Sequence, residues 1–398
     1  MGTIELAPGV HWIGALDKDI RVFDVIMKAE QGTTYNSYLV KGSRSCALIE
    51  TVKARFYDTY LSNIKTLVDP AQIDYIVMNH TEPDHSGSLG SILDEAQSAR
   101  VVASKNGVPF IKGILNRDID VQVAGDGDSI DLGGVTLEFI QAPFLHWPDT
   151  MFTFVREHGI LFPCDFLGSH SADERMFDDL VDDFTHSRSY YFDHIIRPFK
   201  DFAVRALDRI EDLPIQMIAP SHGPILRSDI HKYIEEYRKW CAVPRKGDEP
   251  RVLVFYASSY GNTRRMAESV ADGCRKAGGE VTLFDLEVTD AGSILDEVEA
   301  ADALAVGSLT INGDAVKPVW DLLSSLATLK LRGKAAAAFG CYGWSGEAVK
   351  YMEERFKAIK LKVPFEGVRA QMMVTDQDLE ACRELGEKLT ESVSSQGG

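Results

Sequence analysis

The stretch Val77-Met-Asn-His80-Thr-Glu82-Pro-Asp84-His85-Ser-Gly87 packs four metal-capable side chains into six residues, directly after the apolar run Tyr75-Ile-Val-Met78. A loop at the end of a strand turns alternate side chains toward one point, so this spacing suits a polydentate metal site. Three further residues sit in similar contexts downstream. They are His146 in Leu145-His-Trp-Pro-Asp149, Asp165 in Phe162-Pro-Cys-Asp-Phe166 and His222 in Pro220-Ser-His-Gly-Pro224. Each lies at or just past an apolar run, where a rigid scaffold offers a loop to function. A single His or Asp of this kind is usually a cap or a satisfied core group. Seven of them in comparable settings argue for a metal centre. His170 follows the Asp165 loop and is read as structural, with a pocket-lining role as the alternative, while His11, His158, His186, His194 and His231 belong to no motif.

The order of these residues resembles the metallo-β-lactamase fold, in which an H-x-H-x-D-H loop and later His, Asp and His residues hold two metals. Glu82 stands where the hydrolases have their second His. With Asp84-His85 after it, that substitution resembles the flavodiiron family. Mixed carboxylates and imidazoles also suit iron better than an all-nitrogen set would. The resemblance implies that His80, Glu82 and His146 bind one Fe and Asp84, His85 and His222 the other, with Asp165 bridging the di-iron pair. The side chain at the His85 position is not always coordinated within that family. Many relatives also carry an early His that approaches the irons, where Arg21-Val-Phe-Asp24 stands here, so Asp24 bears on gating and on the choice between O2 and NO.

Outward from this loop, the first half mixes β-like runs with helical patterns. Strands are expected at 34–40, 46–49, 75–78, 101–103 and 151–155, and helices at about 54–66, 90–97, 190–203 and 230–241. This is an α/β sandwich pattern, and the resemblance makes it an αββα sandwich. The stretch Val243-Pro-Arg-Lys-Gly-Asp-Glu-Pro-Arg251 reads as a linker. Beyond it, short apolar strands at 251–256, 280–284, 303–307 and 334–339 alternate with helices, which implies a doubly wound parallel sheet. The expected domains are therefore 1–246, metallo-β-lactamase-like, and 250–398, flavodoxin-like. Only the tail Ser394-Ser-Gln-Gly-Gly398 is of low complexity.

Three loops at the strand ends of the second half carry its chemistry. Ser258-Ser259-Tyr260-Gly261-Asn262-Thr263 opens a helix and resembles the phosphate loop of flavodoxins. Hydroxyls and helix N-terminal amides bind a phosphate there without a lysine. Ser308-Leu309-Thr310-Ile311-Asn312-Gly313 and Gly340-Cys341-Tyr342-Gly343-Trp344 fall where that fold presents its isoalloxazine loops, which makes FMN the expected cofactor. No G-x-G-x-x-G follows the first strand and no G-x-x-x-x-G-K-[ST] occurs, so neither a dinucleotide nor an NTP site is read.

Taken across the chain, the resemblance implies an oxidoreductase that reduces O2 to water, NO to N2O, or both. Electrons would come from a separate donor, rubredoxin or reduced F420 (F420H2), since no rubredoxin-type C-x-x-C pairs occur. Family members are head-to-tail homodimers, sometimes dimers of dimers. Two other classes remain: a dizinc hydrolase fused to a flavodoxin, and an O2 or NO sensor without turnover. The bulk properties constrain the setting. The 398 residues are 45% hydrophobic and carry a net charge of -18, which excludes a nucleic-acid surface. No membrane span or secretory signal is read, and the six cysteines form neither a zinc ribbon nor a disulfide framework. A cytoplasmic protein is expected.

Overall fold

In the computed structural model, residues 2–242, 247–289 and 291–394 are described. Val243–Lys246 of the expected linker and residues 395–398 of the tail lie outside them. The chain divides into two compact units, Met1–Ala242 and Val243–Gly398.

The first unit is built on two sheets. Seven strands run in the order Ile4–Ala7, Val10–Trp12, Tyr38–Lys41, Cys46–Ile49, Tyr75–Met78, Arg100–Ala103 and Val121–Val123. Pairing is antiparallel up to Cys46–Ile49 and parallel beyond it. The second sheet orders Ser129–Asp131, Thr136–Gln141, Met151–Val155, Ile160–Phe162 and Met217–Ile218. Because successive side chains point to opposite faces, each strand feeds two cores. Tyr38, Val40, Ala47, Ile49, Val77 and Val102 meet Leu137, Phe139, Met151, Val155 and Ile160 in one apolar cluster. Their neighbours Leu39, Leu48, Ile76, Val101, Phe152 and Phe154 pack instead with helix residues such as Ile64, Ile92, Ala203 and Tyr237. The result is an αββα sandwich.

Two elements differ from the sequence expectation. The run 34–40 is not one strand: Thr33–Tyr35 pairs with Ala15–Asp17, and Tyr38–Lys41 joins the large sheet. The break is at Asn36, whose buried amide accepts from Trp12 Nε1 (2.8 Å) and donates to the carbonyls of Pro220 (2.8 Å) and Gly223 (2.9 Å). Three hydrogen bonds with buried partners outweigh the continued ladder, and they fix the turn that carries His222. The helix expected at 190–203 runs instead from Thr185 to Ile210 as α, π (Phe192–Ile196), 3-10 (Arg197–Phe199) and α segments. Pro198 has no N–H to return to the preceding turn, so the register widens before it and tightens around it.

The second unit is a five-stranded parallel sheet ordered Glu280–Asp285, Arg251–Tyr256, Ala303–Gly307, Ala335–Tyr342 and Val368–Gln371. Alternation again splits its residues between two helical layers. Leu253, Phe255, Leu304 and Val306 pack with Val319, Leu322, Met352 and Phe356. Val252, Val254, Ala303 and Ala305 pack with Met266, Val270, Leu385 and Leu389. All strands point the same way, so the loops after Tyr256, Gly307, Tyr342 and Gln371 share one edge, where such sheets bind ligands.

Candidate di-iron and flavin sites

The loop after Tyr75–Met78 turns into a one-turn helix, Pro83–Ser86, started by Pro83. Asp84 and His85 face inward from it, both buried. His146, Asp165 and His222 arrive from the loops that follow Thr136–Gln141, Ile160–Phe162 and Met217–Ile218. All seven side chains converge, and they do so as two groups.

In the first group, Glu82 Oε2 lies 3.3 Å from His80 Nε2 and 3.0 Å from His146 Nε2. In the second, His222 Nε2 is 3.0 Å from one oxygen of Asp84, and His85 Nε2 is 3.3 Å from the other. Asp165 joins them. Its Oδ2 is 3.5 Å from both His80 and His146, whereas Oδ1 is 3.1 Å from His85 and 3.5 Å from His222. Both oxygens of Asp165, Asp84 Oδ1 and His85 Nε2 are buried with no hydrogen-bond partner. Buried polar atoms are normally paired, and four such orphans aimed into one space fit metal cations. The donors are carboxylate oxygen and imidazole nitrogen, and they accommodate two ions with one shared carboxylate.

Several supporting residues carry no motif in the sequence. His222 Nδ1 donates to the Thr34 carbonyl at 2.6 Å. His80 Nδ1 faces Asp149 at 3.3 Å, and Asp149 also accepts from the Thr81 amide and hydroxyl, each at 2.8 Å. Such partners fix the tautomer that leaves Nε2 free for a metal. Asp149 stands three residues after His146, the nearest thing to a signal. Trp147 packs edge-on against the His80 ring, 5.1 Å between centroids. His170 lies behind His222, its Nδ1 2.9 Å from Thr33 Oγ1 and its ring 4.2 Å from Phe23.

The electrostatics follow from crowding charge out of water. Burial opposes charge on His80, yet Asp149 and Glu82 overcome it and raise its pKa to about 10. Burial is likewise overcome at His85 by Asp84 and Asp165, and at His146 by Asp165 and Glu82, each reaching about 10. Asp165 is held well below the carboxylate range because His85 and His146 outweigh its desolvation. Asp24 moves the other way, to about 6, through burial and then the Glu82 and Asp84 charges. The three raised histidines stabilise the metal-free fold fully below their unfolded value of 6.5, and that contribution is lost as pH climbs toward 10. Metal-stripped protein should therefore melt at a temperature lower by several degrees at pH 10 than at pH 6.5. Calorimetry checks this; a flat profile in the stripped protein would refute it.

In the second unit, the phosphate-loop residues precede the helix Asn262–Lys276, whose N-cap Gly261 supplies no side-chain bond. The first-turn amides are thus left for an anion, and the buried Ser258 hydroxyl beside them has no partner. Ser259 and Tyr260 are exposed, whereas Thr263 is buried with its hydroxyl 3.2 Å from Cys341 Sγ. Ser308 is buried, and Thr310–Ile311 pairs with Asp314–Ala315 across Asn312-Gly313. Both turn residues have positive φ (54° and 76°), as a two-residue type I′ hairpin requires. Gly340, Cys341 and Tyr342 continue their strand instead of looping, because Val368–Gln371 pairs with it there. Gly343 and Trp344 follow, with Trp344 83% exposed. A fourth segment, Met372-Met373, was not legible as part of this edge; Asn262 Nδ2 reaches the Met372 carbonyl at 3.5 Å. The free amides, the orphan hydroxyl and the glycine-lined edge fit FMN.

A lactamase-type sandwich with a binuclear carboxylate–histidine cluster, carried on one chain with a flavodoxin-type sheet, defines the class. The ODP family beta-lactamase profile matches residues 33–223, and the flavodoxin profile matches 254–386. The type A flavoprotein of Rhodobacter capsulatus is 43% identical over 99% of this chain and 92% of its own. A nitric oxide reductase of Moorella thermoacetica is 37% identical over 98% and 99%. The structure of rubredoxin oxygen:oxidoreductase from Desulfovibrio gigas superposes with a TM-score of 0.76 at 28% identity, covering 99% of each chain. The chain belongs to the flavodiiron, or type A flavoprotein, family.

Proposed function

We propose that this protein is a flavodiiron oxidoreductase that reduces O2 to water, NO to N2O, or both, drawing electrons through FMN from an external donor. The observation that carries this reading is the division of Asp165, one oxygen toward each His–carboxylate group. In it, His80, Glu82 and His146 would hold one iron and Asp84, His85 and His222 the other, with Asp165 as the carboxylate shared between them. The di-iron domain is taken as 1–246 and the FMN domain as 250–398. When bound, the two irons and the flavin supply the electron storage that multi-electron gas reduction needs.

The chain's own residues supply the rest. Two of the histidines have Nδ1 held by a buried acceptor, His80 by Asp149 and His222 by the Thr34 carbonyl, so these ligands are oriented before a metal arrives. His80, Asp84, His85, Asp165 and His222 are buried, while Glu82 and His146 are partly open to solvent. Asp24 lies within electrostatic reach of Glu82, Asp84, His146 and His222 at the solvent-open side of the cluster. The phosphate-loop amides and Ser258 take the phosphate end of FMN, and the edges at Ser308–Gly313 and Gly340–Trp344 flank its ring.

The external donor is read as rubredoxin, which the name of the Desulfovibrio gigas protein contains, with F420H2 as the alternative. A head-to-tail homodimer or dimer of dimers is proposed from membership of the family. Among the described residues no helix is long and apolar enough to cross a membrane. None of the six cysteines forms a disulfide, which supports a reducing, cytoplasmic setting.

The test is anaerobic consumption of O2 and of NO with chemically reduced rubredoxin, with iron and FMN assayed in the same sample. Two irons and one FMN per chain with sustained turnover are expected. Zinc in place of iron would favour a hydrolase, and both cofactors without turnover a sensor.

A further inference from the structure

Behind His85, away from the cluster, lies a buried carboxylate that the ligand set does not use. Glu50 follows the strand Cys46–Ile49 and holds φ at +63°, a left-handed conformation that a non-glycine residue keeps only where its surroundings impose it. They do so here. The Glu50 amide donates to the Val77 carbonyl at 2.9 Å, and its own carbonyl accepts from Ser37 Oγ (2.8 Å) and Tyr60 OH (3.3 Å). This backbone posture aims the side chain under the metal loop. Oε1 accepts the backbone N–H of His80 at 3.0 Å, while Oε2 has no hydrogen-bond partner and lies 3.7 Å from His85 Nδ1.

We propose that Glu50 is the positioning residue of the metal loop, one carboxylate holding the His80 amide and the His85 ring so that His85 Nε2 points between Asp84 and Asp165. This rests on the di-iron reading above. An imidazole that ligates through Nε2 must carry its proton on Nδ1, and a buried N–H needs an acceptor. Thiol sulfur is a weak acceptor, so Cys164, the other polar group beside Glu50 and His85, cannot replace the carboxylate. Glutamine cannot replace it either. An amide has one acceptor and one donor end, so either orientation sets an NH2 against an N–H, that of His80 or that of His85. The His80 amide is the shorter contact, so the clash falls on His85 and drives it to the tautomer that cannot ligate.

The test is a double-mutant cycle on the full chain, read as the rate of iron removal by a chelator and the iron bound per chain. FMN content and melting temperature serve as controls. Glu50→Gln is expected to weaken iron binding about 10- to 100-fold with FMN unchanged, the size seen for partners of ligating histidines. In the His85→Ala background the same change should have less than about a twofold effect, because its target is gone. Iron retention equal to wild type, or an equal loss in both backgrounds, overturns the proposal. A readout that needs no variant uses the wild-type protein loaded with zinc, which is diamagnetic. A downfield Nδ1 proton on His85 is expected in its NMR spectrum, and a ring protonated on Nε2 overturns the assignment. A wild-type chain that takes up no iron at all would instead sink the di-iron reading itself.

Discussion

Asp165→Ala is expected to abolish gas reduction and to leave the protein nearly free of iron while FMN stays bound. The expectation comes from geometry. Each oxygen of Asp165 faces a different pair of histidines, so one substitution strips an anionic ligand from both positions. Removing a residue that merely supports a ligand costs roughly 10- to 100-fold in metal affinity, and removing a shared ligand should exceed about 100-fold. What remains is four imidazoles drawn toward only two carboxylates, Glu82 and Asp84, with a void between them. The flavin loops belong to the other compact unit, so their binding groups are untouched. Iron assay and visible absorption of one preparation suffice. Asp165→Asn sharpens the test, since it keeps the volume but presents an NH2 to one histidine pair. It should retain at most one iron. Two irons and full turnover in either variant would refute the bridging role.

How much of this was legible beforehand depends on where each residue's information lies. The seven cluster residues could be picked out because chemistry and local context coincide: a His or Asp just past an apolar run is visible in one dimension. Glu50 gave no signal, and Asp149 only its closeness to His146, for the opposite reason. Each sits in an ordinary-looking turn and becomes a partner only when a distant loop closes on it, as Asp149 does with His80 across 69 positions. The same logic separates the strands. The central parallel strands of the second unit are short apolar runs buried on both faces, a pattern that survives in sequence. Val368–Gln371 is an edge strand with exposed Arg369 and Gln371, so its period never stood out. The run 34–40 looked like one strand because its residues favour strands, and only the Asn36 contacts to Trp12 and the 220–223 turn reveal the break. The composite helix from 185 to 210 was read only over 190–203, straight across Pro198, which the structure absorbs with a change of helix type.

The second large effect is expected from Gly340→Ala, which should remove FMN and leave the irons in place. Gly340 lies inside the strand Ala335–Tyr342, opposite the start of the Ser308 loop, and a Cβ there would come 2.0 Å from the Ser308 carbonyl oxygen. That oxygen is backbone, so no side chain can swing aside to make room. Relief requires the strand and the Ser308–Gly313 hairpin to move apart, and those are the two edges read as flanking the isoalloxazine ring. Overpacking a close-packed site typically costs 1–3 kcal/mol and sometimes more; a backbone clash belongs at the upper end. About 3 kcal/mol charged against the bound conformation is roughly 100-fold in FMN affinity. Flavin released on dialysis and quantified by fluorescence reads this directly, with iron assayed alongside. The phosphate end offers a contrast: Ser258→Ala removes one hydroxyl, and its loss should be limited to about tenfold because the helix amides remain. If Gly340→Ala kept its FMN, the Ser308 and Gly340 edges would not be the walls of the flavin site. If it lost iron as well, the separation of the two chemistries into two independently folded units would fail.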